Sequence, residues 1–284
     1  MLNCIRMDLY RMFRMKSFYV VGIVLAAAIF FTTFMSVLDY NMMKEEFEKD
    51  PQTYEQEIRS EEEPVNLGMD VTIPTRPGEL VTVYDQVYAN LHGKFIALFM
   101  VIFAVLFSAA DTSSGYIKNI GGQMRNRGIL VLSKAAALFV YTILTMLFYL
   151  AVQAIAQAVC FREFNMGSIE NLAAYWAAQT LLHYALLLIC MAVTVITRSK
   201  VFSVTFAVLL CMNVMAIFYS TVDKIVAKLG VEDFNLIQYT VTGRMALLEM
   251  APSGQDFIKV LLTGILFGLA ATLLSGAIFR KRDI

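Results

Sequence analysis

Long runs of apolar residues constrain this chain more than any other feature of its sequence. A transmembrane helix needs about 20 apolar residues to cross about 30 Å of hydrocarbon, and six runs approach or exceed that length. The composition agrees, because 58% of residues are hydrophobic and 16% charged, against about 45–50% and 25% in soluble domains. The sequence therefore predicts an all-α integral membrane protein with six transmembrane helices. They are expected at 18–38, 94–110, 135–160, 172–197, 201–219 and 258–279.

The distribution of charge predicts the sidedness of these spans. With the N-terminus inside, the predicted cytoplasmic segments hold 13 of the 23 Lys and Arg residues and 3 of the 23 acids. Short basic segments stay on the cytoplasmic side of a membrane. We therefore expect both termini of this multi-pass protein to be cytoplasmic. The basic segments are 1–17, 111–134, 198–200 and 280–284.

The first 17 residues form a separate unit in this interpretation. Apolar residues recur at helical spacing, while Arg11 and Arg14 are expected on the opposite face. A short amphipathic helix with a basic polar face lies in the headgroup plane without spanning the membrane. We predict an interfacial helix at 1–17, followed by one transmembrane domain at 18–284. The alternative is an ordinary cytosolic extension of the first span.

Two longer segments are predicted on the outer side. Segment 39–93 carries 13 acids and 4 bases. Its first half, roughly 40–63, could continue the first span as a polar helix. Its second half combines prolines with the β-prone stretches VTI and LVTVY, which predicts a loop or a small hairpin. The connector at 220–257 contains short apolar helical pieces.

The sequence contains no recognisable catalytic or nucleotide-binding motif. There is no HExxH, no GxSxG and no GxxxxGK[ST] phosphate-binding loop. Five polar side chains fall within the predicted spans, and two interpretations are open for them: hydrogen bonds between helices, or the lining of a substrate path. These residues are Gln153, Gln157, Gln179, His183 and Asn213.

The loop at 111–134 is short, glycine-rich and basic. Its one acid, Asp111, stands at the predicted cytoplasmic end of the second span, where an unpaired carboxylate is costly. The glycine pair at 121–122 allows the chain to fold back. We predict that Asp111 braces the bases of the second and third spans by pairing with Arg127 or Arg125.

The motifs of this loop resemble those of a known family. The chain is similar to the permease subunits of ABC type-2 transporters, and most similar to permeases of the lantibiotic-immunity and bacitracin-resistance kind. The resemblance includes the amphipathic start LNCIRMDLYRMFRMKSFYV, the tight turn at 198–200 and the basic C-terminus. In the loop it is carried by Asp111, Gly115, Ile117-Lys118-Asn119, Arg125 or Arg127, and Ser133-Lys134.

This resemblance implies an ABC type-2 exporter permease fold, in which 1–17 is the elbow helix and the loop holds a coupling helix. The chain would bind no cofactor, since ATP and Mg²⁺ would bind to two cytosolic ATPase subunits. A second permease chain, identical or homologous, would complete the assembly, with no nucleic acid. The exported compound would be amphipathic or hydrophobic, such as a peptide antibiotic or a lipid-like molecule. The residues implied in coupling are Ile117, Lys118, Asn119, Arg125 and Arg127.

Two other classes of function are weighed against the permease. A membrane sensor or scaffold would bind a cationic ligand through segment 39–93 and signal through the basic loop. A stand-alone channel or proton-coupled carrier would need ionisable residues inside the membrane. The predicted first, third and fifth spans carry no charged residue, which disfavours the carrier. Dependence on nucleotide would separate a permease from a sensor.

Overall fold

The computed structural model describes residues 1–51, 68–113, 127–231 and 234–281. Within these ranges the ordered elements are helices, and no strand is present. Four helices are each long and apolar enough to cross a membrane, and two bent helix pairs raise the count to as many as six. The α-helices are α1 (Leu2–Arg14), α2 (Lys16–Lys49), α3 (Val83–His92), α4 (Phe95–Ser113), α5 (Gly128–Cys160), α6 (Ile169–Thr197), α7 (Lys200–Cys211), α8 (Met215–Lys228), α9 (Val241–Leu247) and α10 (Gly254–Arg280).

Helices α1 and α2 are separated by a single extended residue. Met15 has φ −73° and ψ 126°, which ends α1 and lets it turn back against α5. Helix α2 then runs for 34 residues, a length of about 51 Å that exceeds the hydrocarbon thickness. The first span thus continues as a polar helix to Lys49, as its composition predicted. Residues 52–63 of that predicted extension lie outside the described ranges.

The possible hairpin in the second half of segment 39–93 does not form among the described residues. Residues 68–82 are irregular, and α3 begins inside the β-prone stretch LVTVY. The reason is a capping box: the Thr82 side chain accepts a bond from the Asp85 amide, and the Asp85 carboxylate accepts one from the Thr82 amide. These two backbone hydrogen bonds outweigh the β propensity of the stretch LVTVY.

The predicted span at 201–219 does not form one continuous helix. Helices α7 and α8 meet at an angle of 76°, with Met212 extended between them. No proline causes this bend. Instead, the amide of Asn213 donates to the carbonyl of Gly68 at 3.1 Å, a partner that replaces the helical one. The segment predicted as the fifth span is therefore interrupted at Met212 in this structure.

The second bent pair lies beside the first. Helices α3 and α4 meet at 54°, and Lys94 at this break has a positive φ of 60°. Its ammonium group donates to Asn213 Oδ1 at 3.0 Å, so one hydrogen bond joins the two breaks. Gly93 permits the packing, because a Cβ there would lie 1.9 Å from the carbonyl oxygen of Asp70.

Helix α6 lies at the centre of the bundle. It packs against α4, α5, α7, α9 and α10. Its closest neighbour is α10, where Gly264 faces Leu181 and Gly268 faces Leu188 at 3.1 and 3.2 Å from an ideal Cβ. The GxxxG pair therefore lies where two spans approach closely. Helices α2 and α10 have the largest apolar surfaces open to the outside.

Candidate functional site

Four buried or half-buried charges meet where α1, α4 and α5 come together. Asp8 and Arg11 belong to α1, Asp111 to the last turns of α4, and Lys134 to the beginning of α5. We call these four residues the charge cluster. It lies at the end of the bundle that the charge distribution predicts to be cytoplasmic, and its α4 and α5 members flank the loop that contains the predicted coupling residues.

Asp111 is the central member of the charge cluster. Its Oδ1 lies 2.7 Å from Arg11 Nη2, and its Oδ2 lies 2.7 Å from Lys134 Nζ. Asp111 is 7% exposed and Lys134 is 3% exposed, so both charges are largely removed from solvent. One carboxylate therefore bridges α1 to α5 with charge-assisted contacts, which are about twice as strong as neutral hydrogen bonds.

Lys134 has further contacts that fix its position. Its ammonium group donates to the carbonyl of Phe107 at 3.4 Å and lies 4.2 Å from the centroid of the Phe107 ring. A cation over an aromatic face gains electrostatic stabilisation, and the gain is larger when water is excluded. The contact also ties α5 to α4 one turn before Asp111, because Phe107 and Asp111 are four residues apart on the same face.

Asp8 is the second carboxylate of the charge cluster. Its Oδ2 accepts a hydrogen bond from Ser133 Oγ at 2.6 Å, and its Oδ1 lies 3.6 Å from Arg11 Nη1. Burial raises the pKa of the Asp8 carboxyl above its usual range, although Lys134 and the Ser133 hydrogen bond act in the opposite direction. With all members ionised, two acids balance two bases, so the charge cluster is neutral as a whole.

The sequence interpretation identified Asp111 but not these partners. Arg11 was expected on the polar face of α1, whereas the structure turns it inward to Asp111. Of the predicted partners, Arg125 lies outside the described residues, and Arg127 immediately precedes α5. One signal in the sequence could have found the site: Asp8 falls between Ile5 and Met12 at helical spacing, so it stands on the apolar face of α1.

The predicted coupling residues lie mostly beyond the described ranges. Ile117, Lys118, Asn119 and Arg125 fall within 114–126, of which the structure describes nothing. Only the ends of the predicted loop, 111–113 and 127–134, are described. The Asp111–Lys134 ion pair joins these two ends of the loop.

The polar residues of the predicted spans form a buried hydrogen-bonded seam. Asn90 Nδ2 donates to Gln153 Oε1 at 3.1 Å, and Gln153 Nε2 donates to Thr33 Oγ1 at 3.0 Å. Gln157 Nε2 donates to the Val81 carbonyl at 2.8 Å. These bonds link α2, α3, α5 and the segment before α3, so Gln153 and Gln157 connect separate elements.

The seam continues along α6. Gln179 Nε2 donates to the Tyr175 hydroxyl and to the Met245 carbonyl, both at 3.0 Å. His183 Nδ1 lies 2.7 Å from the Gln179 carbonyl, which indicates that Nδ1 carries the proton. His183 thus bonds within its own helix, whereas Gln179 reaches α9.

Several acceptor atoms of this seam have no hydrogen-bond partner among the described residues. They are Gln157 Oε1, Gln179 Oε1 and His183 Nε2, and all three side chains are fully buried. The amide orientations are assigned from the network, since each Nε2 donates to a backbone carbonyl. The interior therefore offers hydrogen-bond acceptors to water or to a ligand that carries donors.

Metal chemistry has no evident site in the described part of the chain. No group of three His, Cys, Asp or Glu side chains there could hold a metal ion.

The fold and its apolar helices define a multi-pass, all-α membrane protein. Residues 66–284 match a family described as proteins of unknown function, DUF2705. The match covers more than half of the chain, which therefore belongs to this family. No curated protein matches it.

Proposed function

We propose that the protein is the membrane-spanning permease subunit of an ATP-driven ABC exporter. Its predicted cytoplasmic loop, 111–134, would dock on a separate ATPase. The transported compound would be amphipathic or hydrophobic, such as a peptide antibiotic or a lipid-like molecule. Two such chains, identical or related, would work with two ATPase subunits in a bacterial cytoplasmic membrane, with both termini inside.

The observation that carries the proposal is the position of the charge cluster. Asp111 precedes the loop, Lys134 follows it, and their 2.7 Å ion pair closes its base. Arg11 extends this connection to α1. A force applied to the loop by a docked subunit would therefore reach α1, α4 and α5 through a stiff, buried junction. Separating these paired charges would leave each of them buried without a partner, which is costly. The three helices are therefore expected to move together when the loop is displaced.

Transport requires two arrangements of the helices, between which nucleotide must discriminate. The elements that could rearrange lie at the opposite end of α4 from the charge cluster, where two bent helix pairs meet through Lys94 and Asn213. In this proposal the acceptor atoms of the buried seam line the substrate path and receive donors from the passing compound. Gln157, Gln179 and His183 would then serve transport as well as packing. Gln153 and Asn213 would line the same path, with their side-chain oxygens already bonded to Asn90 and Lys94.

Hydrolysis of ATP by the purified assembly tests the docking site. The loop variant carries Lys118→Glu and Arg125→Glu, and the matched control carries Arg280→Glu and Lys281→Glu at the exposed end of α10. Both variants change the formal charge by the same amount. We expect the loop variant to lose the copurified ATPase activity and the control to keep it. Equal activity in all three proteins would refute docking through the loop.

A sensor or scaffold is the second candidate, and one observation favours it. The polar end of α2 presents four exposed acids that could bind a cationic ligand. A protein of this kind would bind its ligand equally well with and without nucleotide, whereas a permease would not. The acids are Asp39, Glu45, Glu46 and Glu48.

A further inference from the structure

An apolar groove runs along the outer surface of the bundle between α2 and α5. Its volume is about 550 Å³. Gly22 leaves the wall open, because a Cβ at this position would meet nothing within 4 Å. The groove therefore remains unfilled by the protein's own side chains. Its lining includes Phe18, Gly22, Leu25, Tyr141, Thr145 and Phe148.

The dimensions of the groove fit one leaflet of a bilayer. Its lining residues extend along α2 from Phe18 to Ala26 and include Phe13 at the end of α1. The eight residue steps from Phe18 to Ala26 rise about 12 Å along α2, close to half of the roughly 30 Å hydrocarbon layer. An acyl chain inserted beside α2 would thus run from the headgroup level to the bilayer centre.

Two exposed bases stand at the α1 end of the groove. Arg14 and Lys16 flank the turn between α1 and α2, and the Arg14 guanidinium lies 5.1 Å from the centroid of the Tyr10 ring. Asp8, the one acid of α1, is turned away into the charge cluster. The mouth of the groove is therefore positive, which suits a phosphate group.

The turn that carries these bases is held in a defined conformation. Tyr19 OH donates to the carbonyl of Phe13 at 2.9 Å, and the Phe13 and Phe18 rings meet edge to face at 5.4 Å. The two bases therefore belong to a fixed turn whose neighbouring residues, Phe13 and Phe18, line the groove. A positively charged turn thus lies next to an apolar groove, and this arrangement favours a ligand with an apolar chain and an anionic headgroup.

We propose that the groove binds one acyl chain of an anionic phospholipid, whose phosphate contacts Arg14 and Lys16. This site is independent of any ATPase partner and of the exported compound. It would fix α1 against the membrane surface, next to the charge cluster. Two other molecules could fill the groove: a second copy of this chain, or a lipid bound without regard to its headgroup.

Native mass spectrometry of the purified full chain tests the proposal. The protein in detergent is titrated with phosphatidylglycerol or with phosphatidylcholine of the same acyl chains. Gly22→Leu fills the groove, and Gly276→Leu is its matched control, since Gly276 also lies in a candidate span with no atom within 4 Å of its Cβ position. Arg14→Gln with Lys16→Gln removes the positive charges of the turn while leaving the groove open.

The expected result is one retained phosphatidylglycerol that resists dissociation better than phosphatidylcholine. Gly22→Leu should lower its occupancy about tenfold, and each base removed should weaken binding about fivefold. Gly276→Leu should behave as the wild type does. Equal retention of both lipids, or equal loss in both glycine variants, would show surface lipid only and overturn the proposal. A dimer that Gly22→Leu abolishes would assign the groove to a second copy.

Discussion

Replacing Asp111 with Asn would remove the charge that holds the cluster together. Asp111 contacts Arg11 and Lys134 at 2.7 Å each, and Lys134 is almost completely buried. Removing one partner of a buried ion pair costs about 3–5 kcal/mol, because the remaining charge is left without compensation. The Asn side chain keeps one oxygen as an acceptor, so we expect a loss of about 3 kcal/mol, at the lower end of this range.

A thiol-reactive fluorescent dye provides the assay for this loss. Cys190 and Cys211 are fully buried, whereas Cys4 and Cys160 are partly exposed. With Cys4 and Cys160 replaced by Ser in every protein compared, the dye reports the temperature at which the core opens. Each kcal/mol lost lowers the Tm of a chain of about 150–250 residues by about 2–4 °C. A loss of about 3 kcal/mol therefore corresponds to a fall of roughly 6–12 °C in Tm. The wild type and variants are compared in the same detergent.

A double variant separates the loss of charge balance from a general defect. Asp111→Asn combined with Lys134→Met removes both charges of the buried ion pair. We expect this double variant to recover about half or more of the decrease in Tm that Asp111→Asn causes alone. Asp8→Asn is the control within the same cluster, because it removes the same charge but leaves Asp111 in contact with both Arg11 and Lys134. If Asp111→Asn lowered Tm by less than about 2 °C, or if Lys134→Met gave no recovery, the bridging role of Asp111 would be refuted.

Three further predictions use the same dye assay. Gly93→Ala should lower stability by about 1–3 kcal/mol, because its Cβ would collide with the Asp70 carbonyl. Gly276→Ala, whose Cβ would lie in open space, should leave the stability unchanged. Equal Tm values for the two variants would contradict the packing at the break. Asn213→Ala should cost about 1–3 kcal/mol by leaving the Lys94 ammonium without this acceptor, and an unchanged Tm would exclude that contact. For Asp8, whose pKa is raised by burial, the ionised form disfavours folding, so its contribution to stability grows as pH falls through the raised pKa. Asp8→Asn should therefore be at least as stable as the wild type at pH 7, and the Tm of the wild type should rise relative to that of the variant as the pH approaches 4. If the Tm of the wild type instead fell relative to that of the variant, the pKa of Asp8 would be lowered and the prediction would be wrong.

Local pattern was enough to predict the helices but not their interruptions. The apolar runs that predict the third, fourth and sixth spans lie within α5, α6 and α10, because run length and helix length are set by the same bilayer. The break at Asn213 depends on the carbonyl of Gly68, which is remote in sequence. No periodicity within 201–219 carries that information.

The candidate site shows the same division. Asp111 was identified because a lone acid beside an apolar run is costly wherever it lies. Its partner Arg11 was assigned to the polar face of α1, because a helical wheel treats the opposite side as solvent or headgroup. The extended conformation of Met15 brings that face against α5, and this change of direction decides which charges meet.

The most direct test of the proposed function is to identify what binds the chain in its own membrane. The tagged chain is extracted gently from its native membrane, and the proteins that accompany it are identified and counted. We expect an ATPase with a phosphate-binding loop, in equal numbers to the permease chains. A chain recovered without any ATPase, under conditions that keep other membrane assemblies intact, would contradict the permease proposal and favour the sensor or scaffold.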